Sequence, residues 1–509
     1  MRNAYAVDAV RAAESALMAQ VPDGALMQRA AAGLASVCAG LLPEVYGSRV
    51  VVLAGSGDNG GDALYGGARL AARGAAVTAV AAAARMHEAG AAALRGSGGR
   101  VVEAADPDGR AAADQAIGAA DLIIDGLLGI GGHGGLREPA ASLAAAAGRA
   151  RGVVVAVDLP SGIDADTGEV AGHATSAGVT VTFGAVKPGL LIDPGASHAG
   201  VVELIDIGLG RYLGRPDAAA AQAADIAAWL PRPSAESDKY RRGVLGIVAG
   251  SDRFTGAAPL AVGGAIRGGA GMVRLVSSEV PATLVRQRWP EAVITTTRAG
   301  QEGKSAIEQA GQVQAWTAGP GMGTGDASAE LLEAVLATGL PVLVDADGIT
   351  LLGMHRGLLP RSAPTLITPH AGELARLIGA DRADVEARRL HFARQAAAEL
   401  GCTVLLKGST TVIAAPGPDG EVLVNPTGTS WLATAGSGDV LSGLTGALLA
   451  QGLGPSRAAA AAAYLHGIAA RLAAEGAPIG SDDIITALPA ATRAVAAAGG
   501  AGRASGHLI

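Results

Sequence analysis

The residues best suited to catalysis lie in a glycine-rich turn late in the chain, Ala435-Gly436-Ser437-Gly438-Asp439, which opens a predicted helix. Successive backbone N–H groups in such a turn can bind an anion, and the helix dipole stabilises negative charge there. Asp439 is placed to accept a hydroxyl proton as a phosphoryl group arrives. The alternative is that Asp439 only occupies a first helical turn, where acidic residues are favoured. The pattern favours phosphoryl transfer with Asp439 as the base.

Three other strand exits in the second half carry residues that suit ligand binding. Lys407-Gly408-Ser409-Thr410-Thr411 follows the predicted strand Thr403–Leu406 and offers a cation, backbone donors and hydroxyls to a nucleotide phosphate. Gly319–Gly323 and Thr368–Glu373 follow two further apolar runs. A lone histidine is usually structural, but the place of His370 beside proline and glycine indicates a ligand contact. His370 and Glu373 lack a third ligand at a suitable spacing, so no zinc site is predicted.

Polar residues also follow four predicted strands of the first half: Gly55–Asp62, Asp125, Asp158–Gly162 and Lys187–Gly189. Two carboxylates and an asparagine in the first of these turns would repel a bare phosphate, and the terminal Lys-Ser/Thr of a P-loop is absent. Oxygen-rich side chains suit a hard cation or a sugar hydroxyl better. Each carboxylate alone could be a helix cap. Polar residues after four strands at one edge of a sheet indicate a ligand-binding site.

The elements that carry these residues are short β-branched runs, each followed by a turn and an Ala/Leu-rich helix. Apolar runs without alternation are typical of strands buried on both faces, as in a parallel sheet covered by helices. The alternation predicts an α/β fold. Because ligands bind outside the carboxyl ends of parallel strands, the strand exits of each half should form an active site.

The length of 509 residues, at roughly 100–200 residues per domain, predicts two to four domains. A Pro- and Ala-rich stretch separates two strand-rich halves and reads as a linker. We therefore predict a first domain over residues 1–215, a linker over 216–238 and a second domain over 239–509.

Composition excludes several classes of protein. The net charge is −7 and the sequence has no dense basic stripe, so nucleic acid is not an expected partner. Cys38 and Cys402 are the only two cysteines, which excludes a disulfide framework and indicates a reducing compartment. The N-terminus lacks an export signal, and the apolar stretch Ala458–Ala470 is too short to span a bilayer. A cytoplasmic protein without a membrane partner is expected.

The first half resembles the N-terminal epimerase domain of the NAD(P)H-hydrate repair enzymes, a Rossmann-like α/β/α sandwich. The matching motifs are Leu26-Met27 with Ala30–Gly33, Asn59–Asp62, Asp125 with the glycine loop Gly129–Leu136, Asp158–Gly162, and Thr182-Phe183 with Lys187–Gly189. Asp58 and Ala63 depart from the family, which usually has Asn and Gly there. The resemblance implies a potassium ion held by Asn59, Asp125 and Ser161. It also implies that the hydrated nucleotide contacts Asp58, Asn59, Gly60, Gly61, Asp62, Gly129, Ile130, Gly131, Gly132, Gly135 and Asp158. Asp158 is the candidate acid/base, and a purely binding role stays open.

The second half resembles the ribokinase-like superfamily through Gly436–Asp439, and more closely its NAD(P)H-hydrate dehydratase branch. The branch-level motifs are Lys239–Gly243, Gly256–Ala258, Gly319–Gly323, Pro369–Glu373 and Lys407–Thr411. The resemblance implies that the hydrated nucleotide is bound by Ala257, Gly321 or Gly323, His370 and Asp439. It assigns the adenine nucleotide to Lys407, Gly408, Ser409, Thr410, Thr411 and Gly438, with ADP as phosphoryl donor and Mg²⁺ as helper.

Together the two resemblances imply a bifunctional repair enzyme. One half would interconvert the R and S forms of NADHX and NADPHX, and the other would dehydrate the S form with ADP, giving AMP and phosphate. A homo-oligomer is expected. The alternative is a vitamin-type small-molecule kinase fused to a non-catalytic nucleotide-binding domain, because Gly436–Asp439 alone does not separate a kinase from a dehydratase.

Overall fold

The computed structural model describes residues 1–83, 85–104, 106–132, 134–234, 236, 238–298 and 300–504. His133 of the predicted glycine loop and Ala235 and Ser237 of the predicted linker lie outside these residues. The chain divides into two compact units: Asn3–Ala218, and Ala219–Ile509 together with Met1 and Arg2. Across the described residues, no helix combines the length and apolar character needed to cross a bilayer.

The first unit is built on a seven-stranded sheet with the order β4-β3-β2-β5-β6-β7-β8, and every pairing in it is parallel. The strands between the N-terminus and Ile205 are β1 (Arg2–Ala4), β2 (Arg49–Ala54), β3 (Ala76–Ala81), β4 (Arg100–Glu103), β5 (Leu122–Gly126), β6 (Val153–Val157), β7 (Val179–Phe183) and β8 (Val201–Ile205). β1 is instead an edge strand of the second sheet.

Helices cover both faces of the seven-stranded sheet. They are α1 (Val7–Met18), α2 (Ala25–Leu41), α3 (Asp58–Ala71), α4 (Glu88–Gly96), α5 (Pro107–Ala119), α6 (Ala140–Arg149) and α7 (Gly195–Ala199), with a 3₁₀ turn at Pro188–Leu190. Alternate residues of β2 enter two separate apolar clusters: Val50 and Val52 pack with α2 and α3, whereas Val51 and Leu53 pack with α5 and α6. The apolar runs without alternation therefore come from strands buried on both faces.

The second unit contains an eleven-stranded sheet with the order β1-β9-β18-β17-β16-β15-β14-β13-β10-β11-β12. Its further strands are β9 (Ala218–Ala220), β10 (Val244–Val248), β11 (Met272–Ser277), β12 (Val293–Thr296), β13 (Ala315–Ala318), β14 (Val342–Val344), β15 (Thr365–Ile367), β16 (Thr403–Leu406), β17 (Thr411–Ala414) and β18 (Val422–Asn425). The strands from β12 to β16 in this order pair in parallel, and β17 runs antiparallel to both of its neighbours.

Small residues allow the helices of this unit to pack very closely. The helices are α8 (Ala223–Trp229), α9 (Ala257–Arg267), α10 (Glu279–Arg288), α11 (Gly303–Ala310), α12 (Asp326–Leu336), α13 (Asp347–Met354), α14 (Ala371–Ile378), α15 (Arg382–Ala387), α16 (Arg389–Leu400), α17 (Ser437–Ala450), α18 (Pro455–Ala474) and α19 (Ser481–Ala504), with 3₁₀ turns at Arg356–Leu358 and Ser430–Leu432. A Cβ atom on Gly443 of α17 would collide with the carbonyl group of Ala261 in α9. Glycine thus sets the distance between α9 and α17.

The stretch interpreted as a linker, residues 216–238, contains both β9 and α8. β9 pairs in parallel with β18 and is buried, and α8 begins with a capping box formed by Gln222 and Asp225. The boundary between the two units falls at Ala218. The predicted fold class, two α/β domains, is confirmed.

Candidate active sites

In the first unit, the carboxyl ends of four neighbouring strands carry the polar residues predicted from the sequence. In the sheet order, β2, β5, β6 and β7 are adjacent. The turn before α3, the Asp125 side chain, Asp158 and Lys187 therefore come from one edge of the sheet.

Asp125, near the end of β5, has a carboxylate that is 0% exposed. The backbone N–H of Ser161 donates to its Oδ2 at 2.9 Å, and the Ser161 hydroxyl donates to its Oδ1 at 2.7 Å. Burial raises the pKa of Asp125, although these hydrogen bonds act to lower it. A buried carboxylate that contacts neutral donors is a suitable ligand for a cation.

Asp158 lies directly after β6 and pairs with Lys187, whose side chain is 1% exposed. The Thr182 hydroxyl lies 3.1 Å from Asp158 Oδ1, the atom that also contacts Lys187 Nζ. The backbone of Asp158 has a φ of 67°, in the left-handed region that non-glycine residues rarely adopt. Such strained residues cluster at functional sites because the surrounding structure holds them in place.

The turn after β2 brings Asn59 to the same edge. Glycine is required at Gly60, because a Cβ atom there would collide with the Gly55 carbonyl group. A Cβ atom on Gly129 would lie 3.0 Å from Asn59 Oδ1, so the glycine loop after β5 packs against the Asn59 side chain. Asn59 Nδ2 and Asp62 Oδ1 are buried and have no hydrogen-bond partner among the described residues. Orphaned polar atoms of this kind indicate a place for a ligand or ion.

These residues surround a cavity of about 590 Å³. Of the sequence-predicted residues, the cavity wall contains Asp58, Asn59, Asp62, Gly129, Ile130, Gly131, Gly132 and Asp158. Gly60 and Gly61 are buried inside α3, and Gly135 lies against Gly172 instead. Asp125 and Ser161 lie behind the wall and contact Leu128, which lines it, through the Ser161 hydroxyl.

Helix α1 supplies cavity residues that the sequence reasoning missed. Arg11, Glu14, Ser15 and Met18 line the cavity, while the opposite face of α1 is buried. Their i, i+3, i+4, i+7 spacing was the available signal, because it places them on one helix face. Burial and the nearby Asp158 raise the pKa of Glu14. Burial, together with Asp158, Asp58 and Glu14, raises the pKa of Asp62 well above its usual range.

In the second unit, a network of charged residues lies at the ends of β14, β15 and β16, which are adjacent strands. Lys407 Nζ lies 2.8 Å from Asp345 Oδ1 and 3.9 Å from Glu373 Oε2. The Ser442 hydroxyl, on α17, donates to Asp345 Oδ2 at 2.6 Å. Burial alone would lower the pKa of Lys407, but Asp345 and Glu373 outweigh it and raise the pKa. Lys407 is therefore a cation at physiological pH.

Asp439 lies in the first turn of α17, beside this network. Gly436, with a φ of 84°, precedes the helix, and a Cβ atom on Gly438 would lie 3.4 Å from Lys407 Nζ. Lys407 and the N-terminus of α17 thus face each other closely. Burial, with Asp345 adding to it and Lys407 opposing it, raises the pKa of Asp439 to about 7. A pKa near neutrality suits a general base that must also release its proton.

His370 has a structural role in addition to any ligand contact. Its Nδ1 accepts hydrogen bonds from the backbone N–H groups of Gly372 and Glu373 at 3.0 and 3.2 Å, and it thereby caps α14. The Glu373 carboxylate in turn accepts from the His370 backbone N–H at 2.8 Å. Burial lowers the pKa of His370, so the neutral ring remains available as a cap.

A cavity of about 810 Å³ adjoins Lys407 and the α17 N-terminus. The sequence-predicted residues that line it are His370, Lys407, Gly408, Ser409, Thr411 and Gly438, whereas Thr410 is buried. Asn425, Leu441 and His466 also line it, and the sequence reasoning gave none of them an individual role.

Ala257 and Gly321 meet at the neighbouring ends of β10 and β13. Gly321 has a φ of 58°, and a Cβ atom on it would lie 2.7 Å from the Ala257 Cβ. The Gly323 backbone N–H donates to Asp347 Oδ2 at 2.9 Å. Asp345 and Asp347 are functional candidates to which the sequence reasoning gave no role, although both follow β14 directly.

Each unit therefore places a ligand-sized cavity at the carboxyl ends of parallel strands, which defines a two-domain α/β enzyme of the nucleotide-binding class. Two family models match the chain: "YjeF-related protein N-terminus" over residues 23–189 and "NAD(P)H-hydrate dehydratase" over residues 245–489.

The bifunctional NAD(P)H-hydrate repair enzyme Nnr of Mycobacterium tuberculosis strain H37Rv is 48% identical over 466 residues, 90% of this chain and 92% of that protein. The Mycobacterium leprae enzyme of the same name is 47% identical over 93% of this chain and 94% of that protein. The Bacillus subtilis ADP/ATP-dependent NAD(P)H-hydrate dehydratase, co-crystallised with ATP and Mg²⁺, aligns over 55% of this chain and 99% of its own, with 30% identity and a TM-score of 0.49. The chain belongs to the family of bifunctional NAD(P)H-hydrate repair enzymes, and the predicted family is thereby confirmed.

Proposed function

We propose that the chain repairs hydrated nicotinamide nucleotides, NADHX and NADPHX. The first unit interconverts their R and S forms, and the second dehydrates the S form with ADP and releases AMP and phosphate. The observation that carries this proposal is the close approach of Lys407 to the α17 N-terminus, where Asp439 follows Gly438, beside a cavity that Lys407 and Gly438 line. The chain is also related over 90% of its length to a repair enzyme.

The dehydration requires a better leaving group than hydroxide. Asp439 accepts the proton of the substrate hydroxyl as its oxygen attacks the terminal phosphorus of ADP, and AMP leaves. The C–O bond then breaks with loss of phosphate, and loss of a ring proton restores the conjugated ring. The backbone N–H groups at Gly438 and the Lys407 ammonium group stabilise the charge that develops on the phosphoryl oxygens. Asp345 and Ser442 hold Lys407 in position.

The described side chains offer few ligands for Mg²⁺. Among the described residues, His, Cys, Asp and Glu side chains form no group of three that could cage a metal ion. This fits an Mg²⁺ bound largely through the donor phosphates, whose charge it would neutralise.

The residues of the first unit fit a potassium ion, because the buried Asp125 carboxylate contacts neutral donors and the Asn59 amide lacks a partner. We propose Asn59, Asp125 and Ser161 as its ligands; when bound, the ion would supply positive charge for substrate oxygens. Asp158 is the proposed acid/base: it donates a proton to the hydroxyl that leaves as water, and the proton released when water adds to the opposite face of the ring goes to solvent. Lys187 fixes its carboxylate.

The products of the reaction test this proposal against a kinase. The purified chain is incubated with the S hydrate and ADP, and nicotinamide absorbance, AMP and phosphate are measured together. We expect one AMP and one phosphate per recovered coenzyme. A stable phosphorylated product without recovered absorbance would overturn the proposal. Cytoplasmic location and a homo-oligomeric state stay predictions from the sequence.

A further inference from the structure

A buried histidine on α18 has no role in the chemistry described above. His466 is 5% exposed and lines the second-unit cavity together with Asn425, Leu441 and Ala463. Burial lowers the pKa of His466 to about 4, so its ring is neutral at physiological pH. A neutral imidazole has one N–H donor and one bare acceptor nitrogen.

The contacts of the ring show which nitrogen is the acceptor. The Ser437 backbone lies next to the His466 ring and acts to raise its pKa, as a backbone carbonyl group that accepts from a ring N–H does. The ring N–H is therefore the donor and the Ser437 carbonyl group the acceptor. Nε2 is buried and has no partner among the described residues, so the donor is Nδ1. Nε2 consequently presents a free lone pair.

A buried acceptor without a donor is costly, so such atoms are usually paired in the functional state of a protein. The terminal phosphate of a nucleoside diphosphate loses its last proton with a pKa of about 6, so the phosphate oxygens act chiefly as acceptors at neutral pH and are poor donors to Nε2. The nucleoside can donate, through its ribose hydroxyls or through the amino group of adenine. The chemistry of Nε2 thus selects the nucleoside and not the phosphates.

We propose that His466 is a ligand-contacting residue of the second unit, whose Nε2 accepts a hydrogen bond from a nucleoside O–H or N–H of the phosphoryl donor. The inference rests on the proposed binding of ADP in this cavity. This contact would link nucleoside recognition to catalysis, because the same ring lies next to the backbone of Ser437, and Ser437 is two residues before Asp439.

Calorimetric titration tests the contact. His466→Phe keeps a flat ring and removes the acceptor, and His466→Gln keeps an acceptor. We expect His466→Phe to weaken ADP binding about tenfold, as loss of one hydrogen bond in a buried site does. His466→Gln should retain part of the affinity. His391→Phe, at an exposed position of α16 outside the cavity, is the matched control and should bind as the wild type does.

Nucleotide analogues identify the donor group. The wild type and His466→Phe are compared with 2′-deoxy-ADP, 3′-deoxy-ADP and inosine diphosphate. The difference between the two proteins should vanish for the one analogue that lacks the contacted hydrogen. If His466→Phe loses the same affinity for ADP and for all three analogues, or loses no affinity at all, the inference is overturned, because the ring would then act only in packing.

A measurement on the wild type keeps the inference testable if His466→Phe does not fold. The ¹⁵N resonance of His466 Nε2 should shift to lower frequency when ADP saturates the protein, and an unchanged resonance would contradict the contact. If the wild type binds ADP and His466→Phe binds it equally well, the inference about His466 is overturned and the proposed function is not affected. A wild type that binds no adenine nucleotide would overturn the donor assignment as well.

Discussion

The two cavities lie at equivalent places, outside the carboxyl ends of parallel strands, but their charges differ. The first cavity is lined by Glu14, Asp58, Asp62 and Asp158, with Arg11 beside them. Among the described residues that line the second cavity none is acidic, and Lys407 and the α17 N-terminus face it. One architecture therefore supports two cavity walls of different charge, although Asp345, Glu373 and Asp439 lie close to Lys407 behind the second wall.

This difference indicates which ligand group each cavity can accept. An acidic wall repels a polyphosphate at close range, but it binds hydroxyl groups and shares protons with them. A wall with a lysine and backbone N–H groups stabilises a phosphoryl group in transfer. The first unit is thus suited to proton transfer at the hydrated ring, and the second to consumption of a phosphoryl donor.

Asp439→Asn should give the largest effect. Removal of the base should lower the dehydration rate of the S hydrate by about 10²–10⁴-fold, while epimerisation is unchanged. Recovery of absorbance with ADP measures the first activity, and exchange of the epimers without ADP measures the second. Asp326→Asn, in the first turn of α12, is the control. A nearly normal rate in Asp439→Asn would mean that this carboxylate only stabilises its helix.

Asp158→Asn should affect the opposite activity, with loss of epimerisation by about 10²-fold or more and normal dehydration of the S hydrate. The asparagine keeps the side-chain shape but leaves the buried Lys187 without its charge partner, so thermal unfolding should be measured alongside. Asp23→Asn, at an exposed site, provides the comparison. If binding of the R hydrate weakens while its turnover is unchanged, Asp158 has only a binding role.

The pH profile of dehydration should follow Asp439. Its pKa is raised to about 7, so the fraction of active carboxylate falls as pH drops below 7, and kcat/KM should fall about tenfold per pH unit there. Because Lys407 lowers this pKa, Lys407→Met should move the inflection to higher pH. The epimerisation profile should not move in this variant. A profile that does not change between about pH 5 and 8, a range that contains the raised pKa of Asp439, would contradict the role of this residue.

Gly443→Ala should give a smaller effect, confined to the second unit. The added Cβ meets the Ala261 carbonyl group, so α9 and α17 must separate, at a cost of about 1–3 kcal/mol. The unfolding transition of this unit should occur at a lower temperature, with little change in that of the first unit. Gly353→Ala, where the nearest side-chain atom is 3.7 Å away, should be neutral or slightly stabilising. Equal unfolding temperatures for the two variants would show that the helices do not need this contact.

The positions of the site residues at the ends of strands were predictable because the strands are recognisable in the sequence. Runs of Val, Ile and Leu marked β2, β5, β6, β14 and β16, and parallel pairing then places their exits on one edge. Asp158, Asp439 and Lys407 could be chosen on that basis, although their mutual distances could not.

Helices remote in sequence could not be placed in this way. In the sequence, Arg11 and Glu14 on α1 look like part of an ordinary solvent-exposed helix face. In the structure they line the cavity at the ends of the strands. His466 lies in an alanine-rich helix whose sequence shows no sign of a cavity. The alanine-rich stretch that contains β9 and α8 lacks β-branched residues apart from Ile226, so its strand had no local signal.

The central claim is that both cavities act on one hydrated coenzyme, and recovery from a mixture of its epimers tests it most directly. The purified chain is incubated with mixed R and S hydrates of NADH, ADP, Mg²⁺ and K⁺ until absorbance is constant. We predict full recovery for the wild type, and for Asp158→Asn a fast phase that ends once the S form is consumed. A wild type that also stops at the S fraction would contradict the account.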